Sequence, residues 1–309
     1  MGVSKQHRIR FFDPDKHFKC GSKPCNIIII GKRNSGKTTI VASLAQALKS
    51  IPYGVCCSCT EDANSYWSNH IPETFIHGEY TEDITKNLIE MQRREVQKVG
   101  KENVKPCFAI YDDIMYDTSF VRHKSTRQLF MNGRHFKISL LLTAQYCMDL
   151  PPGLRTNIDY VFILKDPSKK NRQRLFDNFA GIFPTFESFC DCLDKTTENY
   201  ECMVIDNTSN SNDLADSIYY YKGVPGIQFK MGCKDFRKFN VSKEVAPKSG
   251  GKEKRHKRHK KKRRRETSAS SPERPKKERA LRSSSKRHTF ALPGAAPFKF
   301  AAASRKIPP

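Results

Sequence analysis

No apolar run in these 309 residues approaches the ~18 needed to cross a bilayer. The start, "MGVSKQHRIRFF", lacks the apolar core of a secretory signal. Both absences argue against a membrane partner. Gly2 does not make a myristoylation site, because Gln6 stands where Ser or Thr is needed. The eleven cysteines are an odd number, and the groups among them, Cys20/Cys25, Cys56/Cys57/Cys59 and Cys190/Cys192, lack the repeated C-x-x-C spacing of zinc sites. Reduced thiols in a cytosolic or nuclear setting are the expectation. No internal repeat is visible. Acidic residues are scarce, with 32 Asp+Glu against 56 Lys+Arg and a formal net charge of +24.

That excess is unevenly spread. Residues 241–309 hold 23 Lys/Arg against 5 Glu, so +18 of the charge lies there and +6 in the first 240 residues. Blocks such as "KEKRHKRHKKKRRR" repel themselves and cannot collapse onto a core, so 241–309 is expected to be a disordered basic tail. Its chemistry suits a polyanion, since neutralised phosphates release counterions. Contact with DNA and a nuclear localisation signal are both open readings of the tail, and they are compatible.

With 37% apolar residues the chain can bury a core. Residues 1–25 read as a lead-in and 26–240 as one domain. Five short, unalternating apolar runs recur: "NIIII" (26–30), "YGVCCSC" (53–59), "CFAIY" (107–111), "ISLLLT" (138–143) and "YVFIL" (160–164). Runs of this kind suit strands covered on both faces. Helical segments lie between them, at "KTTIVASLAQALK", "EDITKNLIEMQRREVQKV" and "FVRHKSTRQLFMNGRHF". The alternation predicts an α/β fold with a mainly parallel central sheet flanked by helices. A helical patch, "KKNRQRLFDNFAGIFPTFESFCDCL", and two edge strands, "ECMVIDN" and "SIYYYKG", are expected to follow.

"NIIIIGKRNSGKTTI" gives Gly31, Gly36, Lys37 and Thr38 the G-x-x-x-x-G-K-[ST] spacing of a Walker A phosphate loop. It follows a β-branched strand and opens an Ala/Leu-rich helix, as a P-loop NTPase requires. Gly31, Lys32, Arg33, Asn34, Ser35, Gly36, Lys37, Thr38 and Thr39 are the expected nucleotide-binding set. Lys37 is expected to reach the β- and γ-phosphates of ATP, and the Thr38 hydroxyl to ligate Mg²⁺. "CFAIYDD" ends an apolar strand in two carboxylates. Asp112 is the second expected metal residue. Asp113 is expected to polarise the attacking water, although many NTPases use Glu there; the alternative is a helix cap. Asp117 reads as a helix cap. Gln145, at the end of the 138–143 run, is expected to sense the γ-phosphate, with Thr143 assisting, the alternative being an ordinary turn beginning at "AQY".

The phosphate loop, "IYDD", and an arginine eleven residues ahead of a strand ending in Gln resemble the FtsK/HerA class of DNA-pumping ATPases. Within it, "CTEDANSYW", "IPETFIHGEY", "NGRHFKISLLLTAQY" and "LPPGLRTNIDYVFILKD" resemble the DNA-packaging ATPases of nucleocytoplasmic large DNA viruses and polinton-like elements, from about residue 20 to 225. The resemblance implies a homo-oligomeric ring with ATP at each interface and an arginine supplied by the neighbouring copy. Arg134 matches that position most closely, with Arg155 next and Arg127 third; the alternative for Arg134 is a surface residue paired with a carboxylate. The implied function is an ATP hydrolase driving double-stranded viral DNA into a preformed capsid. Its partners are then DNA and a capsid component, at assembly sites in the host cytoplasm or nucleus, or in the virion.

Four rival readings differ in kind. A conjugation or mobile-element translocase of the same class shares the motifs. A large terminase subunit carries a nuclease domain after the ATPase, where this chain has only the tail. A GTPase needs a downstream N-K-x-D-type guanine reader, and none is found. A non-enzymatic DNA-condensing protein acting through the tail leaves Lys37, Thr38, Asp112 and Gln145 without a purpose.

Overall fold

A computed structural model describes residues 9–115 and 117–239 of the chain. The basic tail expected at 241–309 lies outside the described residues. In chain order the strands are β1 (Arg10–Phe11), β2 (Asn26–Ile30), β3 (Tyr53–Ser58), β4 (Ile76–His77), β5 (Cys107–Asp112), β6 (Ile138–Ala144), β7 (Tyr160–Ile163), β8 (Glu201–Asp206) and β9 (Ile218–Lys222). The longer helices between them are α2 (Lys37–Ala47), α4 (Glu82–Val99), α5 (Lys124–Asn132), α7 (Lys169–Phe179) and α8 (Phe186–Thr196). Single-turn helices complete the set as α1 (Pro14–Phe18), α3 (Glu61–Asn64), α6 (Pro152–Arg155), α9 (Leu214–Ser217) and α10 (Lys234–Lys238).

Four consecutive isoleucines leave β2 no polar face, and the fold satisfies this by placing it inside the sheet. The nine strands run in the order β1-β9-β8-β7-β2-β6-β5-β3-β4. From β7 to β4 all neighbours are parallel. Ile28 and Ile30 face a core built with α4, α5, α7 and α8, through Leu88, Leu129, Leu175 and Phe189. Ile27 and Ile29 face the other, with Val41 and Leu44 of α2, Phe18, Trp67 and Phe236. Alternate side chains of one strand therefore feed two separate cores.

The expectations at the periphery need correction. The strands at 201–206 and 218–222 are not edges, because β8 lies between β7 and β9, antiparallel to both, and β9 is covered in turn by β1. Residues 10–25 thus enter the domain, with Phe12 and Phe18 fully buried. The helix expected over 120–136 is broken. His123 is extended (φ −63°, ψ 138°), separating a 3-10 turn at Phe120–Arg122 from α5, and a second such turn at Gly133–Phe136 ends at Lys137 in the left-handed region. The patch at 169–193 is two helices, α7 and α8. Pro184 has no N–H to donate and drives Phe183 away from helical backbone, which enforces the gap. Every cysteine whose side chain is described is a free thiol.

Ile28 is 1% exposed at the centre of this arrangement. Ile28→Ala is expected to lower unfolding free energy by about 2–5 kcal/mol, and Ile28→Val by about 0.5–1.5, in urea titrations.

Candidate functional site

Parallel strands bring their C-terminal ends to one edge of the sheet, and the phosphate loop rises there. Its root is fixed on both sides: Gly31 N–H donates to the Ala144 carbonyl on β6 (3.1 Å), and Leu164 N–H after β7 donates to the Ile30 carbonyl (2.9 Å). The loop turns through left-handed backbone at Asn34 (φ 60°) and Gly36 (φ 95°), a region glycine enters without steric cost. Gly36 caps α2 with no side chain on its first-turn amides, so those donors and the positive end of the helix point into the loop. A Cβ on Gly31 would meet Ser35 Oγ at 2.6 Å, so the loop closes only around glycine there.

Lys37 is 9% exposed and donates to the Lys32 carbonyl (2.8 Å), which also accepts from Ser35 Oγ (2.7 Å). Burial lowers the Lys37 pKa, opposed by the charges of Asp113 and then Asp112. Lys32 pairs with Asp166 (3.4 Å), whose other oxygen accepts from Asn171 (3.1 Å). Arg33 and Asn34 are exposed, and Thr38 and Thr39 half-buried.

The sheet order sets β6 between the strand that leads into the phosphate loop and the strand that ends in the two carboxylates. Asp112, 2% exposed, is met from three directions. Thr38 of α2 donates to Oδ2 (3.3 Å), Thr143 of β6 to Oδ1 (3.0 Å), and the Trp67 indole N–H to Oδ2 (3.3 Å). Burial raises the Asp112 pKa; the bonds from Thr143, Trp67 and Thr38 pull it back, while Asp113 adds to the rise. Thr143 has a second task, accepting the Asp113 N–H (2.8 Å) while that residue takes left-handed backbone (φ 55°). The Asp113 carboxylate then accepts from Gln145 Nε2 (3.1 Å). Thr38, Asp112, Asp113, Thr143 and Gln145 form one connected group at the mouth of the loop. Hydroxyl and carboxylate oxygens are the hard donors that magnesium takes, and one or two carboxylates with substrate phosphates are its usual holding. The residues present fit the ion.

The three arginines do not join this group within one chain. Arg134 precedes β6, at the opposite edge, a strand length of roughly 20 Å from the loop of its own chain. It is ion-paired with Asp159 (2.7 Å), a 7% exposed carboxylate that also accepts the Asn26 N–H (2.7 Å). Arg155 lies on α6 with Nη1 4.0 Å from Met148 Sδ, and Arg127 is exposed on α5. Asp117 accepts from the Ser119 N–H (2.8 Å) and hydroxyl (2.7 Å), closing a turn ahead of Phe120–Arg122.

Other elements reach the site without a sequence signal of their own. Arg174 of α7 lines a cleft with Gln145, Met148, Asp166 and Asn171. The turn after β9 lies on α2: Gly223 packs against Thr39 and Ile40, where a Cβ would come within 3.0–3.2 Å, and Val224 N–H donates to Ser43 Oγ (2.8 Å).

A family described as "Poxvirus A32 protein" matches residues 15–212. Protein 088R of Invertebrate iridescent virus 3 is 37% identical over 236 residues, spanning 75% of this chain and 87% of its own. Protein L437 of Acanthamoeba polyphaga mimivirus is 33% identical over 219 residues, spanning 69% and 77%. The genome packaging NTPase B204 from Sulfolobus turreted icosahedral virus 2, solved in complex with ATP-gammaS, aligns with a TM-score of 0.45 at 15% identity, over 66% of this chain and 99% of that one.

Substitutions at two positions separate holding from packing. Thr143→Val removes the donor to Asp112 and the acceptor for Asp113, and is expected to cost about 1.5–3 kcal/mol in urea titrations, with Thr143→Ser losing less than half of that. Arg134→Ala leaves Asp159 with its backbone donor only, and the half-exposed pair is expected to give up about 1–2 kcal/mol.

Proposed function

Since the chain belongs to the poxvirus A32 protein family, we propose that it is the ATPase of a viral DNA-packaging motor, hydrolysing ATP to move double-stranded DNA into a preformed capsid at viral assembly sites. The observation that carries this reading is the 3.3 Å approach of Thr38 Oγ1 to Asp112 Oδ2, two residues 74 positions apart brought together beside the phosphate loop. A structural Gly turn with an exposed lysine needs neither that carboxylate nor the burial of Lys37.

In this mechanism residues 31–39 wrap the phosphates with backbone N–H groups, and Lys37 leaves the Lys32 carbonyl for the β- and γ-phosphate oxygens. Thr38 and Asp112 hold magnesium, which, when bound, offsets the charge of the terminal phosphates. Asp113, in left-handed backbone and with its carboxylate held by Gln145, orients the attacking water and takes its proton. Gln145 hydrogen-bonds both Asp113 and the γ-phosphate, so loss of that phosphate is felt at the end of β6. No helix among the described residues is long and apolar enough to cross a membrane.

The charge spread over the transferring group needs a further cation, and in this proposal Arg134 supplies it to a neighbouring copy in a homo-oligomeric ring. Its distance from the phosphate loop of its own chain supports a role in trans over one in cis. The basic tail is proposed to contact DNA, and the motor to dock on a capsid component.

ATP turnover is expected to rise with duplex DNA, and Lys37→Ala to abolish turnover in a folded chain; equal turnover with and without DNA overturns the motor reading. Arg134→Ala is expected to lower kcat by ~10³ or more, as for fingers in other NTPases, while Arg155→Ala and Arg127→Ala stay within about tenfold of the unaltered chain. Mixing Arg134→Ala and Lys37→Ala chains is expected to restore turnover, because some interfaces then hold both groups intact. Mixtures that stay inactive overturn Arg134 as the trans residue.

A further inference from the structure

The segment "CTEDANSYW" ends on the one tryptophan of the chain, and its placement follows from a carboxylate clamp. Glu61, at the start of α3, is 9% exposed and spends both oxygens on backbone: Oε2 accepts the Trp67 N–H and Oε1 the Ser68 N–H, each at 2.8 Å. The clamp folds the loop after β3 back over the neighbouring β5, whose Asp112 stands in register with Ser58. The Trp67 ring is fully buried in the core that α2 covers. A second tie holds the same loop from the far side. His70 stacks on Phe229 at 4.2 Å, and His70 O accepts the Met231 N–H (2.9 Å).

The apolar body of the ring fills that core; beyond packing the tryptophan adds one thing, a ring N–H, and it is spent on Asp112 Oδ2 at 3.3 Å. That oxygen is shared with Thr38, while Thr143 holds Oδ1. In the proposed function the Thr38 hydroxyl turns a lone pair to the metal and keeps its O–H for Oδ2, so Trp67 is the donor to that oxygen that is not itself a ligand of the ion. A buried carboxylate with a donor on each oxygen is held against rotation, and its remaining lone pairs would stay available to an ion.

We propose that Trp67 is a positioning residue for magnesium binding: its indole N–H, set in place by the Glu61 clamp, fixes the Asp112 carboxylate toward the ion that Thr38 ligates. The assignment rests on the nucleotide reading of the site. It makes no use of the aromatic surface of the ring, so shape and donor can be separated experimentally.

The probe is Mn²⁺, followed by electron paramagnetic resonance as it binds the full chain saturated with a non-hydrolysable ATP analogue. Two replacements are compared: Trp67→Phe, and 3-benzothienylalanine introduced at position 67, which keeps the bicyclic shape and lacks the donor. Loss of a partner of this kind weakens metal binding by roughly 10–100-fold. Both replacements are expected to raise the Mn²⁺ dissociation constant at least about tenfold, with metal-free nucleotide affinity within about twofold of the unaltered chain. Mn²⁺ affinity unchanged in the benzothienyl chain overturns the proposal, whatever happens to thermal stability in Trp67→Phe. If the unaltered chain shows no metal-dependent nucleotide binding, the nucleotide reading fails and takes this one with it; unaltered binding with an insensitive variant overturns this one alone.

Discussion

A carboxylate buried at 2% exposure has to be given hydrogen bonds, and the edge of this sheet is organised around supplying them to Asp112. Left without donors, a buried carboxylate costs several kcal/mol and neutralises itself. The three donors come from three places: the helix after β2, the end of β6, and the loop after β3. Each demands something of the fold. For Thr143 to arrive, β6 has to lie between β2 and β5. For Thr38, α2 has to start directly above that gap. For Trp67, the chain after β3 has to turn back toward its neighbour, which is what Glu61 makes it do.

A second polar group fixes the other end of β2. Asn26 donates its side-chain N–H groups to the carbonyls of Phe130 and Asn157, and its backbone N–H to Asp159, which Arg134 neutralises in part. Between these ends the strand is apolar on both faces. The phosphate loop therefore sits on a strand anchored at its foot, along its length and at its head, and preorganised amides of this sort stabilise charge without reorganising. In the proposed ring, the arginine at the foot would serve that anchoring within its own chain and present its exposed side to a neighbour.

How much of this could be read from sequence depended on the distance between partners. Central strands and the phosphate loop were legible because their signals are local: an unalternating β-branched run, then glycines and a lysine at fixed spacing. The place of Asp112, a carboxylate at the end of an apolar strand, was legible for the same reason. The bond from Trp67 was not, since it joins residues 45 positions apart and any large apolar side chain would have given the same pattern. The same applies to the pair Arg134 and Asp159, to Arg174 in the cleft, and to Arg10–Phe11, a strand too short to show a period. The helix expected over 120–136 and the helical patch at 169–193 had amphipathic spacing throughout; the breaks lie in a few residues, His123 and Pro184 among them, that the periodic signal averages away.

The turn that follows β9 gives the domain a mechanical property. Gly223 and Val224 are fastened to the helix that begins with Lys37, and a few residues on, Phe229 and Met231 are fastened to the loop that carries Trp67. A pull at residue 239 meets α10 first, through Phe236 on Phe75 and on Phe108 of β5, and then this turn, which passes it to the helix that begins with Lys37 and to the scaffold of Asp112. A pull there and the network around Asp112 thus share the same few side chains.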